Sequence, residues 1–256
     1  MSVWYAWGRW NDAYEAAQQV LQMIEQYKQS EKWQSYALLP LAVIAYQRGD
    51  QEQGDRYVRQ HKRLVDQYGA NPELSELESL LHLAREDWAR AVTDYKDKLQ
   101  RSEPFPQPEA LARLAELAVI TGESPEEQQA LCERAVAVAG ESGSGKGQAN
   151  ALRARGRMHL DRENWIAAEL DLQQALQKCV ELDILWERGQ TLYCLGIYYR
   201  RRSAILNQDN DGERTADLGR AHQHFEQALG FFEALKAVHD AERTRAALAQ
   251  DSNAPV

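Results

Sequence analysis

The chain has 256 residues, 44% of them hydrophobic and 27% charged, with a formal net charge of −9. That acidic balance argues against nucleic acid as a partner, because phosphate binding needs a concentrated positive surface. No segment approaches the ~20 apolar residues that span a bilayer, and Met1 to Trp7 has no positive region followed by an apolar block, so no membrane partner and a cytoplasmic location are expected.

Read in chain order, Trp4, Trp7 and Trp10 recur every three residues with Tyr5 between them. Pro40 interrupts an otherwise helical run and predicts a kink or a late helix start. The windows Glu73 to Leu99 and Ala149 to Leu176 carry apolar residues at three- and four-residue intervals and are rich in good helix formers, which predicts amphipathic helices. Asn71-Pro72 and Ser124-Pro125 place a capping side chain before a first-turn proline, and Ser124-x-x-Glu127 adds a capping box. Ser102 to Pro108 and Gly140 to Gly147 read as connections. Ala241 to Ala249 reads as a closing helix, followed by a loose tail over 251–256. No strand run competes, so the fold class is all-α.

Leu192-x-x-Leu195-Gly196-x-x-Tyr199, followed by Ala221-x-x-x-Phe225-x-x-Ala228, is the most informative pattern in the chain. It resembles the core of the tetratricopeptide repeat, a helix-turn-helix unit. Weaker copies occur upstream. Leu152, Gly156, Ala168, Leu172 and Ala175 keep the spacing, with Arg155 and His159 replacing the usual leucine and aromatic. Leu38, Leu41, Ala42 and Ala45 lead to Gly49-Asp50, the family's turn dipeptide, and then to Gly54. Looser copies start at Leu74 and Leu111. From Leu38 through Leu74, Leu111 and Leu152 to Leu192 the steps are 36, 37, 41 and 40 residues, against about 34 for the plainest repeat. The texture is similar to the long, degenerate repeats of bacterial regulators and signal-transduction ATPases.

The resemblance implies an α-solenoid of antiparallel helix pairs wound into a right-handed superhelix. The expected pairs are 1–29 (partial), 30–69, 71–101, 108–140, 146–182 and 186–237, with a closing helix over 239–249. Gly196 to Ala221 spans 25 residues where Gly156 to Ala168 spans 12, so 203–218 is expected to be an inserted surface loop of about 13 residues. Gly8 and Ala13 align with the turn glycine and small residue of the repeat. The chain therefore starts inside a first pair, with Trp4, Trp7 and Trp10 as a terminal interaction face. Its candidate covers are another chain, the missing part of a longer protein, or the tryptophans themselves folded back on Tyr14 and Val20 as a cap, and left uncovered the stripe would be a self-association site.

Several stretches imitate chemistry. Gly140 to Lys146, after Ala135 to Ala139, looks like a phosphate-binding loop, but Gly147 stands where a magnesium-binding hydroxyl is needed, and the glycines read instead as a helix exit. Asn207-x-Asp209-x-Asp211-Gly212 resembles the first half of a calcium loop, with Leu218 where the closing glutamate belongs. His222 and His224, two apart on a helix, share no metal. Cys132, Cys179 and Cys194 are odd in number and lack metal spacing, which suits buried reduced thiols. No catalytic constellation emerges, so no enzyme activity, cofactor or metal is expected.

Function is expected to lie on a surface. In the repeat register the first helix of each pair lines the concave wall, which places Asn150, Arg153 and Arg157 on one face and Gln190, Tyr193, Ile197, Arg200 and Arg201 on the next. This wall suits an acidic peptide or a carboxylate. The lysine and asparagine arrangement with which some family members clamp a chain terminus is not reproduced. The expected role is a scaffold that binds a protein or peptide partner. The alternative is a ligand-sensing module of a larger signalling protein.

Overall fold

The computed structural model describes residues 9–71, 74–102, 104–206 and 210–252. Among them are twelve α-helices and no strand. They are α1 (Trp10–Gln26), α2 (Ser35–Gln47), α3 (Gln51–Tyr68), α4 (Ser75–Ala84), α5 (Trp88–Arg101), α6 (Pro108–Thr121), α7 (Pro125–Ser142), α8 (Gly145–Asp161), α9 (Trp165–Glu181), α10 (Leu185–Ile205), α11 (Asp211–Leu235) and α12 (Val238–Ser252). Contacts group the chain into two units, Met1–Asp94 with Ala234–His239, and Tyr95–Glu233 with Asp240–Val256. No helix among the described residues is long and apolar enough to cross a membrane.

Successive helices are separated by the same kind of turn. The residues 48–50, 85–87, 122–124, 162–164 and 182–184 each connect two helices. In each, one residue has positive φ: Gly49, Glu86, Gly122, Glu163 and Asp183. A backbone N–H after it reaches back five residues, as in Asp50 to Ala45, Asp87 to His82 and Asn164 to His159, all at 2.9 Å. This closure satisfies carbonyls that the helix end leaves open. The next helix is then capped. Asp50 accepts from the Gln53 N–H at 3.0 Å, and Ser124 accepts from the Glu127 N–H at 3.2 Å, with Pro125 in the first turn.

In the first unit α2 packs against α1, α3 and α4. Ala37 to Tyr46 is an unbroken apolar run, and every residue in it is buried. A helix with no polar stripe needs neighbours all round, and α2 has them. The helix runs through Pro40, preceded by a 3-10 turn over Glu31–Gln34. Trp10 is buried, whereas Trp4 and Trp7 lie outside the described residues.

In the second unit α6 packs on α7 and α8, α8 on α7, α9 and α10, and α9 on α10. The repeated motif sets the spacing between α10 and α11. A Cβ on Gly196 would lie 2.5 Å from the Phe225 ring, so only glycine admits that ring. Leu192, Leu195, Tyr199, Ala221, Phe225 and Ala228 are all buried with it. Where the pattern departs from the usual residues, the departure is compensated. Arg155 holds the buried Asp171 through two hydrogen bonds of 2.7 Å, and His159 stands 3.8 Å from the same carboxylate.

Two expected loops are mostly helix. The glycine stretch after Ala139 leaves only Gly143 and Ser144 outside α7 and α8, since Ser144 caps Gly147 at 3.0 Å and so starts α8 early. The expected insertion over 203–218 instead lengthens two helices: α10 continues to Ile205, and α11 starts at Asp211. Arg202 explains this extension, because it reaches both oxygens of the fully buried Asp217 at 2.5 Å. Asn207 and Asp209 lie outside the described residues.

Gly196→Ala should lose about 1–3 kcal/mol by overpacking against Phe225, measured by urea unfolding. Glu163→Gly should gain about 1 kcal/mol by relieving a left-handed non-glycine residue; an unchanged midpoint would show that Glu163 is unstrained.

Candidate functional site

The expected binding residues of α8 sit in a buried polar array shared with α6 and α10. Arg113 and Glu116 on α6 are three residues apart, and the Arg113 Nη1 donates to Glu116 at 2.9 Å. Arg153 of α8 is fully buried and donates to both Glu116 oxygens at 3.1 Å. Arg157, one turn along, lies 3.8 Å from the same carboxylate and is a third exposed, 33% by side chain. On α10 the buried Glu187 takes Lys146 at 2.9 Å and Arg113 at 3.5 Å. Trp186 lies under the Arg113 guanidinium, 5.1 Å from ring centre to Cζ.

Burial would push the Glu116 carboxyl upward, but Arg153, Arg113 and Arg157 together hold it at about 2. Burial raises Glu187 too, and Lys146 and Arg113 more than reverse it. Both carboxylates are therefore ionised at neutral pH. Among these six side chains four cations face two carboxylates, with Asp161 acting on Arg157 as well.

Three buried side-chain atoms of α8 have no hydrogen-bond partner. They are the Asn150 Nδ2, the Asn150 Oδ1 and the Arg153 Nη1. Asn150 is 1% exposed. A buried polar group left unmet costs about 1–3 kcal/mol, and native structures keep few of them.

The expected residues of α10 are placed differently. The Gln190 Oε1 accepts from Arg243 at 3.0 Å, and the Arg243 guanidinium lies over the Tyr193 ring at 4.4 Å. Ile197 packs in the core around Phe225. Arg200 stacks on Phe225 at 5.2 Å and donates to the Ala247 carbonyl at 3.3 Å and to the Gln250 side chain at 3.1 Å. Arg201 pairs with Asp161 at 2.9 Å. The closing helix α12 thus engages Gln190, Tyr193 and Arg200, whereas Asn150, Arg153 and Arg157 belong with Glu116.

Sequence reading missed Arg113, Glu116, Lys146, Trp186 and Glu187 as members of one array. The three-residue spacing of Arg113 and Glu116, which puts both on one face of α6, was a usable signal. Lys146, singled out as part of a phosphate-loop lookalike, instead directs its amine to Glu187. Cys132, Cys179 and Cys194 are buried and unpaired, with burial pushing the first two thiols up to about 12 and about 11. Among the described residues no group of three His, Cys, Asp or Glu side chains could hold a metal ion. No model of a known protein family matches the chain, and no curated protein matches it either.

Glu116→Gln should lose about 3–5 kcal/mol at pH 7, because it strands Arg153 as a buried unpaired charge. The same carboxylate predicts the acid limb. Its stabilisation is complete above the ordinary 4.5 and is lost as pH falls toward about 2. Melting temperature against pH should therefore drop steeply over that window in the unmodified chain and more shallowly in Glu116→Gln.

Proposed function

We propose that this chain is a non-enzymatic recognition module that holds an acidic group of a partner protein or peptide against Asn150, Arg153 and Arg157. In this reading the helix pairs run antiparallel and stack as a right-handed, tetratricopeptide-like solenoid, with the first helices α6, α8 and α10 forming the inner wall of the second unit. The recurring three-residue turns support the stacking, and so does the packing of α6 on α8 and of α8 on α10. The unpaired, reduced cysteines support a cytoplasmic setting.

The observation that carries the reading is the buried, unpartnered amide of Asn150, three residues before Arg153 on α8, whose Nη1 is also without a partner. Two donors and one acceptor stand ready, their desolvation already met in folding. The Arg153 and Arg157 guanidiniums on the same helix favour an anion as the group that completes them. Arg157, the one partly exposed guanidinium of α8 on Glu116, is the approach. A small anionic molecule is the second reading, favoured by the full enclosure of Asn150 and Arg153.

Selection of random peptides on the immobilised chain should enrich sequences with an acidic residue at a fixed position. Their affinity should fall about tenfold or more in Arg157→Ala and in Asn150→Ala, a loss on the order of 1.4 kcal/mol. Arg157 is the safer probe, since it is a third exposed and the most distant of the three guanidiniums on Glu116, and melting of each variant is measured beside its affinity. Peptides without an acidic position, or with equal affinity for Arg157→Ala, would sink the peptide reading. Anionic small molecules that stabilise the unmodified chain alone would then favour the second.

A further inference from the structure

A second site lies in the first unit and does not depend on the acidic-group reading. A cavity of about 330 Å³ opens where the 3-10 turn and the start of α2 meet the C-terminal end of α3. Its walls include Trp33, Tyr36, Tyr68, Leu64, Lys32 and His61. The volume falls near the lower end for ligand pockets, about 300–1,000 Å³, which suits one or two fused rings rather than an extended molecule.

The aromatic walls are held in place yet left open. Trp33 and Tyr36 lie 5.6 Å apart, centroid to centroid. The Tyr36 hydroxyl accepts from the Asn71 amide at 2.7 Å, so that ring is fixed from behind. Trp33 is 46% exposed and Tyr68 47%, large faces for aromatic rings flanking one cavity. Exposed aromatic faces of this kind favour stacking on a flat ring.

Polarity narrows the ligand further. None of the described residues that line the cavity is a carboxylate, and Lys32 sits over Trp33 at 5.0 Å. Among the described lining residues a cationic guest would meet the Lys32 amine and no carboxylate, which disfavours the ammonium ligands that aromatic cages take. His61 is 8% exposed, and its Nδ1 has no hydrogen-bond partner. Its Nε2 lies 3.6 Å from the Glu78 carboxylate. With the proton on Nε2 facing that carboxylate, this tautomer leaves a lone pair at Nδ1. The missing partner must therefore be a donor.

We propose that this cavity binds a flat aromatic ring carrying a hydrogen-bond donor at its edge, of the indole or phenol class. The ring stacks between Trp33 and Tyr68, and its N–H or O–H donates to the His61 Nδ1. The same chemistry comes from a free aromatic molecule or from a tryptophan or tyrosine side chain of a partner.

Titration calorimetry of the full chain with indole and with 1-methylindole, which lacks the donor, tests this directly. Indole should saturate, and 1-methylindole should bind about tenfold more weakly or worse, because it leaves the His61 Nδ1 unmet. The His61 Nδ1 resonance in a long-range nitrogen–proton spectrum should shift with indole. His61→Phe should bind the two probes alike. No saturable binding of indole at millimolar concentration, or equal affinity of the unmodified chain for both probes, overturns the proposal. Should His61→Phe not fold, Trp33→Ala decides, since its ring is half exposed: undiminished indole affinity in that folded variant also overturns it. Comparison with N-acetyltryptophanamide separates the sources. Tighter binding than indole points to a partner's side chain and weaker binding to a free ring, and both support the site.

Discussion

A carboxylate enclosed by protein stays ionised only if cations meet it at hydrogen-bond distance, and Glu116 is held in this way by Arg113, Arg153 and Arg157. The requirement fixes α6 and α8 along their axes. Both helices otherwise carry many small side chains, Ala112, Ala115, Ala149 and Ala151 among them, all fully buried. Small apolar surfaces slide past each other at little energetic cost, whereas a two-pronged contact between Arg153 and Glu116 has one geometry. The ion network thus supplies the register, and the apolar surface supplies most of the cohesion. Glu187 extends the constraint to α10 through Arg113 and Lys146.

A different device sets the distance between paired helices. Gly196 lets the Phe225 ring reach the α10 backbone, and Gly156 does the same for Leu172 against α8, where an added Cβ would stand 2.8 Å from the side chain. Each close approach is accompanied by a buried charged tie at a neighbouring turn. Arg155 joins α8 to Asp171 of α9, and Arg202 joins α10 to Asp217 of α11. Close packing fixes how near two helices come. The ties fix their rotation, because a buried aspartate must face its arginine.

What the sequence made legible follows from range. Turns and caps are written in adjacent residues, so Gly49-Asp50, Ser124-Pro125 and the all-helical class could be read directly. The Leu192 and Ala221 motifs could be read because glycine and an aromatic at fixed spacing imply a close approach. Arg202 could not, since its partner Asp217 lies fifteen positions away in what looked like an inserted loop. Two glutamates in positive-φ turns, Glu86 and Glu163, carry no turn signature of their own. For the candidate site the face of α8 was legible from helical spacing alone. The burial of Arg153 was not, because it depends on Glu116, thirty-seven residues upstream.

The same enclosure that keeps Glu116 ionised bears on the recognition proposed for Asn150, Arg153 and Arg157. Asn150 and Arg153 have already lost their water, so a group that reaches them recovers hydrogen bonds without paying that desolvation again. In a surface site the gain would be offset by water released from the protein, and a charged ligand would be screened by salt. Here the discrimination falls on the ligand's own hydration. An ionised group must leave water to enter, and only one that meets the Arg153 Nη1 and both ends of the Asn150 amide recovers that loss. In the proposed complex a neutral isostere of the same shape sheds less hydration but brings no charge to Arg153 and Arg157. On that proposal, selectivity for charge comes from Arg153 and Arg157, and selectivity for shape from the buried Asn150 amide.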